Sequence, residues 1–241
     1  MNRGISAFLR NYYRHTLPLR DRTLLFNIRK KIIWLFIGYP VNFGFDSPEK
    51  RLKNFANYLE DKCVLNAGSG LTNIKFCKKQ IKIDIDLNTK PDIVADIHNI
   101  PFKDNSLDAI VSFAVLEHCV FPWDAVKEFR RVTKRGGYII CGIPWISPRH
   151  NAPIDCYRFS DIGLRALFEY SNLKVIKINT VHSSIQGWSW ITYEILKSRK
   201  ILRFLLIIVN PILILINYTK KLQINTENCI TGYDIIAQVD K

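Results

Sequence analysis

Acidic side chains are scarce in this chain: 21 Asp and Glu stand against 35 Lys and Arg, a formal charge of +14 over 241 residues. Cysteine is sparse in pattern as well as number. The six (Cys63, Cys77, Cys119, Cys141, Cys156, Cys229) include no CxxC pair and no metal-ligand spacing, so no zinc framework and no metal is expected. Several sit inside apolar runs, as reduced core thiols of a cytosolic protein do. A transmembrane helix needs about 20 apolar residues. The longest apolar run, FLLIIVNPILILI at 204–216, has 13 and is interrupted by Asn210 and Pro211. A signal peptide is not expected either, because Arg and Lys recur through residue 31 and no small-residue cleavage site follows IIWLFIGY at 32–39. Low-complexity sequence is absent, and 48% hydrophobic with 23% charged residues leads us to expect one substantial core with decorations.

What charge there is lies unevenly. Residues 1–31 hold eight Lys and Arg against Asp21, net +7, and residues 192–222 hold six against Glu194, net +5, which leaves +2 for the rest. Both basic segments adjoin the apolar runs named above. A nucleic-acid groove would pair Lys and Arg with polar and stacking residues across the core, whereas basic next to aliphatic is the composition of a surface lying on anionic lipid. The plainer alternative is that both runs are helices packed on their own domain with a basic outer face. Segments 1–45 and 199–222 are therefore candidates for contact with an anionic membrane, and no nucleic-acid partner is expected.

The central chain alternates strand and helix. Strands are expected at 63–67, at IKIDID (81–86), at DIVAD (92–96), from Ala109 to Phe113 and at YIICGIP (138–144). PWDAVKEFRRVTKRGG predicts a helix with Pro122 near its start, Val126, Phe129 and Val132 on one stripe, and Gly136-Gly137 ending it. Ser160 is placed to cap DIGLRALFEY, whose Leu164, Leu167 and Phe168 share a face, and KVIKIN (174–179) and YDIIAQV (233–239) supply the last strands. The pattern predicts an α/β fold: a Rossmann-like, doubly wound sheet, mostly parallel with an antiparallel last strand. About fifty residues separate those last two strands, so a helical insertion is expected near 183–224. The domains expected are a basic N-terminal segment, 1–45, and a domain over 46–241.

In such sheets ligands bind at the carboxyl ends of the strands. That rule selects Gly68, Ser69 and Gly70 after the first strand, Asp84 and Asp86 at the second, Asp96 with Ile97 after the third, and Phe113 to His118 after the fourth. A glycine turn followed by a carboxylate suits an adenosine, because the turn admits the backbone and the carboxylate accepts both ribose hydroxyls. A dinucleotide would want a third glycine at position 73, which is Asn73. A sulfonium cofactor has no phosphate and tolerates a looser turn, with Asp96 to accept from the adenine amine and Ile97 to pack on its ring.

Taken together, VLNAGSG, IDID, ADIHNIPFKDNSLDAIVSFAVLEH and EFRRVTKRGGYIICGIPW resemble the successive motifs of class I S-adenosylmethionine-dependent methyltransferases, specifically the type 11 group, over about residues 60–180. The resemblance implies S-adenosylmethionine as cofactor. It places Gly68 and Gly70 against the methionine part, Asp84 on the ribose, Asp96 and Ile97 on the adenine, and Phe113 or Ala114 beside the donor. HNAPIDCYRFSDIGLRALFEY further resembles an H-x-x-P-x-D-x-x-R-F segment of members that accompany bacterial surface-glycan synthesis. The chain departs from the family at Asn66, where an acid is usual, and at Thr72, in place of a third glycine. Asn66 still donates and accepts hydrogen bonds but brings no negative charge to the sulfonium.

Methyl transfer to a hydroxyl also needs a base, and the candidates are His118 at the mouth of the fourth strand and His150 with Asp155 after the fifth. For each the alternative is a loop hydrogen bond. Tyr157 and Arg158 would hold an acidic or sugar-like acceptor, or brace their loop. No Asp/Asn-Pro-Pro-aromatic tetrad is present, which disfavours a nucleobase amine as acceptor. The reading is transfer to a small-molecule, sugar or lipid-linked acceptor by a cytoplasmic protein peripheral to the inner membrane face. Its rival is an inactive scaffold of the same fold.

Overall fold

The computed structural model describes residues 48–71, 75, 77–150, 154–181, 191–192, 195 and 230–240. The expected N-terminal segment 1–45 and nearly all of the insertion expected at 183–224 lie outside the described residues. The chain divides into two compact units, one of residues 44–147, 156–187 and 225–241, the other of 1–43, 148–155 and 188–224. The first contains the sheet.

Helices α1 (Pro48–Lys53) and α2 (Ala56–Leu59) lead into β1 (Cys63–Ala67), β2 (Lys79–Asp84), β3 (Ile93–Val94) and β4 (Leu107–Phe113). Helix α3 (Pro122–Val132), β5 (Thr133–Pro144), α4 (Asp161–Tyr170), β6 (Leu173–Val181) and β7 (Gly232–Val239) follow. The seven strands form one sheet in the order β3-β2-β1-β4-β5-β7-β6, with β7 antiparallel to both neighbours and every other pairing parallel. This is the expected Rossmann-like arrangement, antiparallel last strand included.

Each face of the sheet is covered by helices whose sequence demands it. Ala125, Val126, Phe129 and Val132 of α3 and Leu164, Leu167 and Phe168 of α4 are buried in the larger core, at the spacing of one helical stripe. Leu52, Phe55 and Leu59 of the α1–α2 region pack with Val64, Val111, Ile140 and Ile236 in a second core. Burying each such large side chain contributes about 1.5–3 kcal/mol. Ser160 caps α4, its hydroxyl accepting from the Gly163 amide at 3.1 Å.

Several boundaries differ from the sequence expectation, β3 among them, which spans only Ile93–Val94. Helix α3 stops at Val132 rather than at the glycine pair: Thr133 is fully buried, donates its hydroxyl to the Phe129 carbonyl at 2.7 Å, and already pairs with Leu107 of β4. The register then passes to Ala109–Tyr138, so residues 134–137 form a bulge inside β5. Gly136 adopts φ +73°, and a Cβ on Gly137 would lie 2.7 Å from the Asp108 carbonyl oxygen, so the pair serves the bulge. Strand β2 runs two residues earlier than expected. Asp86 therefore falls beyond it and caps the short turn Leu87–Thr89, accepting from the Asn88 amide at 2.9 Å.

Candidate functional site

The glycine turn is held by the strand beside it. The amides of Gly68 and Ser69 both donate to the Ile83 carbonyl, at 2.9 and 3.0 Å, and Gly68 and Gly70 take φ values of +71° and +55°. The two glycines serve different ends. A Cβ on Gly68 would overlap the Val115 side chain, so its smallness lets the residues after β4 pack on the turn. A Cβ on Gly70 would meet no described atom within 4 Å, and there the turn opens on space.

Asp84, the last residue of β2, lies under the turn. Its Oδ2 accepts from the Gly70 amide at 2.7 Å and its Oδ1 from the Asp86 amide at 2.9 Å. The side chain is buried, and burial pushes its carboxyl above the ordinary carboxylate range while the two amides pull it back. A carboxylate offers about four lone-pair sites, so two amides leave acceptor capacity for a pair of ribose hydroxyls. Asn66 is buried one residue short of the end of β1, and Ser69 is buried within the turn.

Asp96 is organised by a residue that sequence reasoning passed over. Its Oδ1 accepts from the His98 backbone amide at 2.9 Å and lies 2.7 Å from His98 Nδ1. Burial pulls the His98 pKa down, but the hydrogen bond and charge of Asp96 outweigh it and the net shift is upward. The clue in the sequence was an imidazole two residues after an acid in a turn, where one carboxylate oxygen can meet both the amide and the ring of that histidine. Ile97 puts its side chain into the larger core.

At the end of β4, Phe113 lies beneath the Arg51 guanidinium, 4.7 Å from ring centroid to Cζ. Ala114 follows with φ +55°, a strained value for a residue with a Cβ, and its amide donates to the Gly142 carbonyl at 2.8 Å. Next, the turn Leu116–His118 carries Glu117, fully buried, with its Oε1 3.6 Å from His118 Nε2. The Glu117 carbonyl accepts from the amides of Cys156 and Tyr157 at 2.8 and 3.1 Å, which ties the later loop to this turn. Tyr157 donates its hydroxyl to the Val120 carbonyl at 3.1 Å, and Arg158 Nη1 donates to the Tyr157 carbonyl at 2.8 Å. These contacts brace the loop. Trp123 and Phe159 flank the Tyr157 ring at 6.4 and 5.5 Å.

His150 and Asp155 belong to the other compact unit. There the His150 amide donates to Asp155 Oδ2 at 2.8 Å, and its Nδ1 stands 3.9 Å from the same oxygen and 3.2 Å from the Pro148 carbonyl oxygen. The structure thus joins these two as the sequence paired them. The cysteines are all unbridged among the described residues: burial pushes the Cys119 and Cys141 thiols upward, while Cys156 is exposed and so is no core thiol.

Residues 54–141 match the model of the methyltransferase domain. Over 118 residues the chain is 32% identical to an uncharacterized protein of Methanocaldococcus jannaschii, an alignment spanning 45% of this chain and 52% of that one. The chain thus spans about half the length of that relative. Among solved structures, a putative methyltransferase from Bacillus halodurans superposes with a TM-score of 0.54 at 14% identity, over 81% of this chain and 100% of the other. A SAM-dependent methyltransferase from Methanosarcina mazei gives 0.53 at 16% identity, over 78% and 97%. At such identities the structures establish the fold alone. Domain match and fold together imply S-adenosylmethionine as the cofactor, and the methyltransferase domain fits it, with open space at Gly70 and a buried acid within reach of the turn. The domain match ends at residue 141 and so leaves His150, Asp155, Tyr157 and Arg158 outside it.

Proposed function

We propose that this protein transfers a methyl group from S-adenosylmethionine to a small-molecule, sugar or lipid-linked acceptor, at a hydroxyl. The observation that carries the reading is the coupling of Gly70 to Asp84, which ties an open glycine turn to a carboxylate at the next strand end. When bound, the cofactor supplies an electrophilic methyl whose C–S bond breaks as the acceptor's C–O bond forms. Asp84 accepts from the ribose hydroxyls, Asp96, steadied by His98, takes the adenine amine, and Phe113 and Ala114 border the donor. Orientation of this kind contributes up to about 7–11 kcal/mol toward reaction. His118 receives the hydroxyl proton, which adds about 10²–10⁴-fold.

The acceptor class rests on the motif from His150 to Phe159 and on the basic, apolar segments 1–45 and 199–222, which fit a cytoplasmic protein peripheral to a membrane. A second reading, a catalytically inactive scaffold of the same fold that assembles partners at the membrane surface, is favoured by Asn66, which brings no charge to the donor's sulfur. Calorimetry on the full chain with S-adenosylmethionine and S-adenosylhomocysteine separates them. The enzyme reading expects binding by both, weakened about 10- to 100-fold in Asp84→Ala, the cost of losing a charge-assisted acceptor. It also expects affinity to fall on acidification, as the Asp84 carboxyl protonates above its ordinary range. Silence toward both ligands leaves the scaffold.

A further inference from the structure

A row of backbone partners crosses four strands at the carboxyl edge of the sheet. Phe113 of β4 pairs with Gly142 of β5, Gly142 with Asp234 of β7, and Asp234 with Asn179 of β6. Directly paired residues project to the same face of a sheet, so all four positions look toward α1. Gly142 leaves a slot in that row. A side chain there would overlap both Arg51 and the Phe113 ring, and Arg51 fills the slot, with Phe113 on one side and a two-pronged ion pair to Asp234 on the other. The Arg51 Nε stands 3.1 Å from Asp234 Oδ2.

On the far side of this pair is a cavity of about 300 Å³, at the lower end of the range for small-molecule sites. Its walls include Asn54, Lys177, Asn179 and Thr180 besides Arg51 and Asp234. That lining is unusually polar for a ligand site. Two amides and a hydroxyl match the donors and acceptors of a polyol, and Arg51 and Lys177 outweigh the single carboxylate of Asp234. Phe55, Tyr58, Val181 and Ile236 complete the lining and offer apolar surface to the ring faces of a sugar. With strands about 4.8 Å apart, Asp234 lies about 10 Å and Asn179 about 14 Å along the row from Phe113, so a group seated here reaches the donor only through a spacer of roughly two or three linked rings.

We propose that this cavity seats the end of the acceptor remote from the methylated atom, and that this end is a phosphorylated sugar, free or as a lipid headgroup. The inference rests on the methyl-transfer reading, and the two fail separately. The full chain saturated with S-adenosylhomocysteine is titrated with glucose 1-phosphate and, in a second arm, with phosphatidylinositol vesicles; Asn179→Leu and the milder Thr180→Val are compared with wild type. Expected is saturable binding of at least one probe, weakened about fivefold or more in either variant, with S-adenosylhomocysteine affinity unchanged. Response to the soluble probe alone assigns a free sugar phosphate; response to vesicles that also depends on Asn179 or Thr180 assigns the headgroup. If neither probe binds, or if folded variants bind as wild type does, the proposal is overturned even where the nucleoside binds. If the nucleoside fails to bind and a probe still responds to the variants, the methyl-transfer reading falls and the anion site stands.

Discussion

At the residue scale the pair Asp96–His98 decides how this turn behaves with pH. One carboxylate oxygen receives both the amide and the ring nitrogen of the same histidine, so the acid cannot turn without breaking both bonds. The ring also faces Asp124 of α3 and the Phe121 carbonyl, and these too favour the imidazolium. The His98 pKa is raised on folding, so its contribution to stability is complete below the unfolded value of about 6.5 and is lost as pH rises through the folded value. His98→Gln is expected to cost about 1.5–3 kcal/mol at pH 6, the usual loss for a hydrogen bond to a charged group, and less at pH 8.5. Urea titrations of both proteins across that interval measure the difference; a cost independent of pH would remove the ion pair from the account.

At the element scale, α1 is joined to the sheet by charge as much as by apolar contact. Arg51 and Asp234 sit 183 residues apart in the chain, and both side chains are largely buried. Burial pushes the Asp234 carboxyl upward, and Arg51 opposes it. Arg51→Ala leaves a buried carboxylate without its counter-ion, and the expected destabilisation is about 3–5 kcal/mol at pH 7. The sign of its pH dependence follows: once Asp234 protonates, the uncompensated charge disappears, so the loss shrinks toward pH 5. Denaturant midpoints at the two pH values test this, and a loss that grows on acidification contradicts it. The bulge after α3 belongs to the same scale. Gly-Gly is an ordinary helix-stop signal, but here Thr133 finds a buried place beside Leu107 before the glycines are reached, and tertiary pairing overrides the local signal.

At the scale of the whole molecule, charge and chemistry are separated along the chain. Of the formal +14, +12 resides in residues 1–31 and 192–222, whereas the seven described strands are drawn from residues 63–181 and 232–239. Among the described residues no helix is long and apolar enough to cross a membrane. Attachment through a basic, apolar surface is then expected to depend on salt. A tagged protein should sediment with vesicles containing anionic lipid at low ionic strength and be largely released near 1 M salt; a protein that stays in the supernatant at low salt has no such surface. The methyltransferase-domain match covers 54–141, whereas β6 and β7, which wall the polar cavity, follow it.

The alternation of apolar runs, the capping Ser160, the stripes on α3 and α4 and the order of Gly68, Gly70, Asp84 and Asp96 were all legible in sequence, because each depends on neighbours within a turn or on the two-residue period of a strand. Helix ends and strand register were less so, since the burial of Thr133 beside Leu107 depends on a partner tens of residues away. Arg51 gave no local signal. It acquires meaning only when β7 brings Asp234 beside Gly142 and the row from Phe113 to Asn179 closes, and pairing of strands so distant in the chain is a property of the folded sheet.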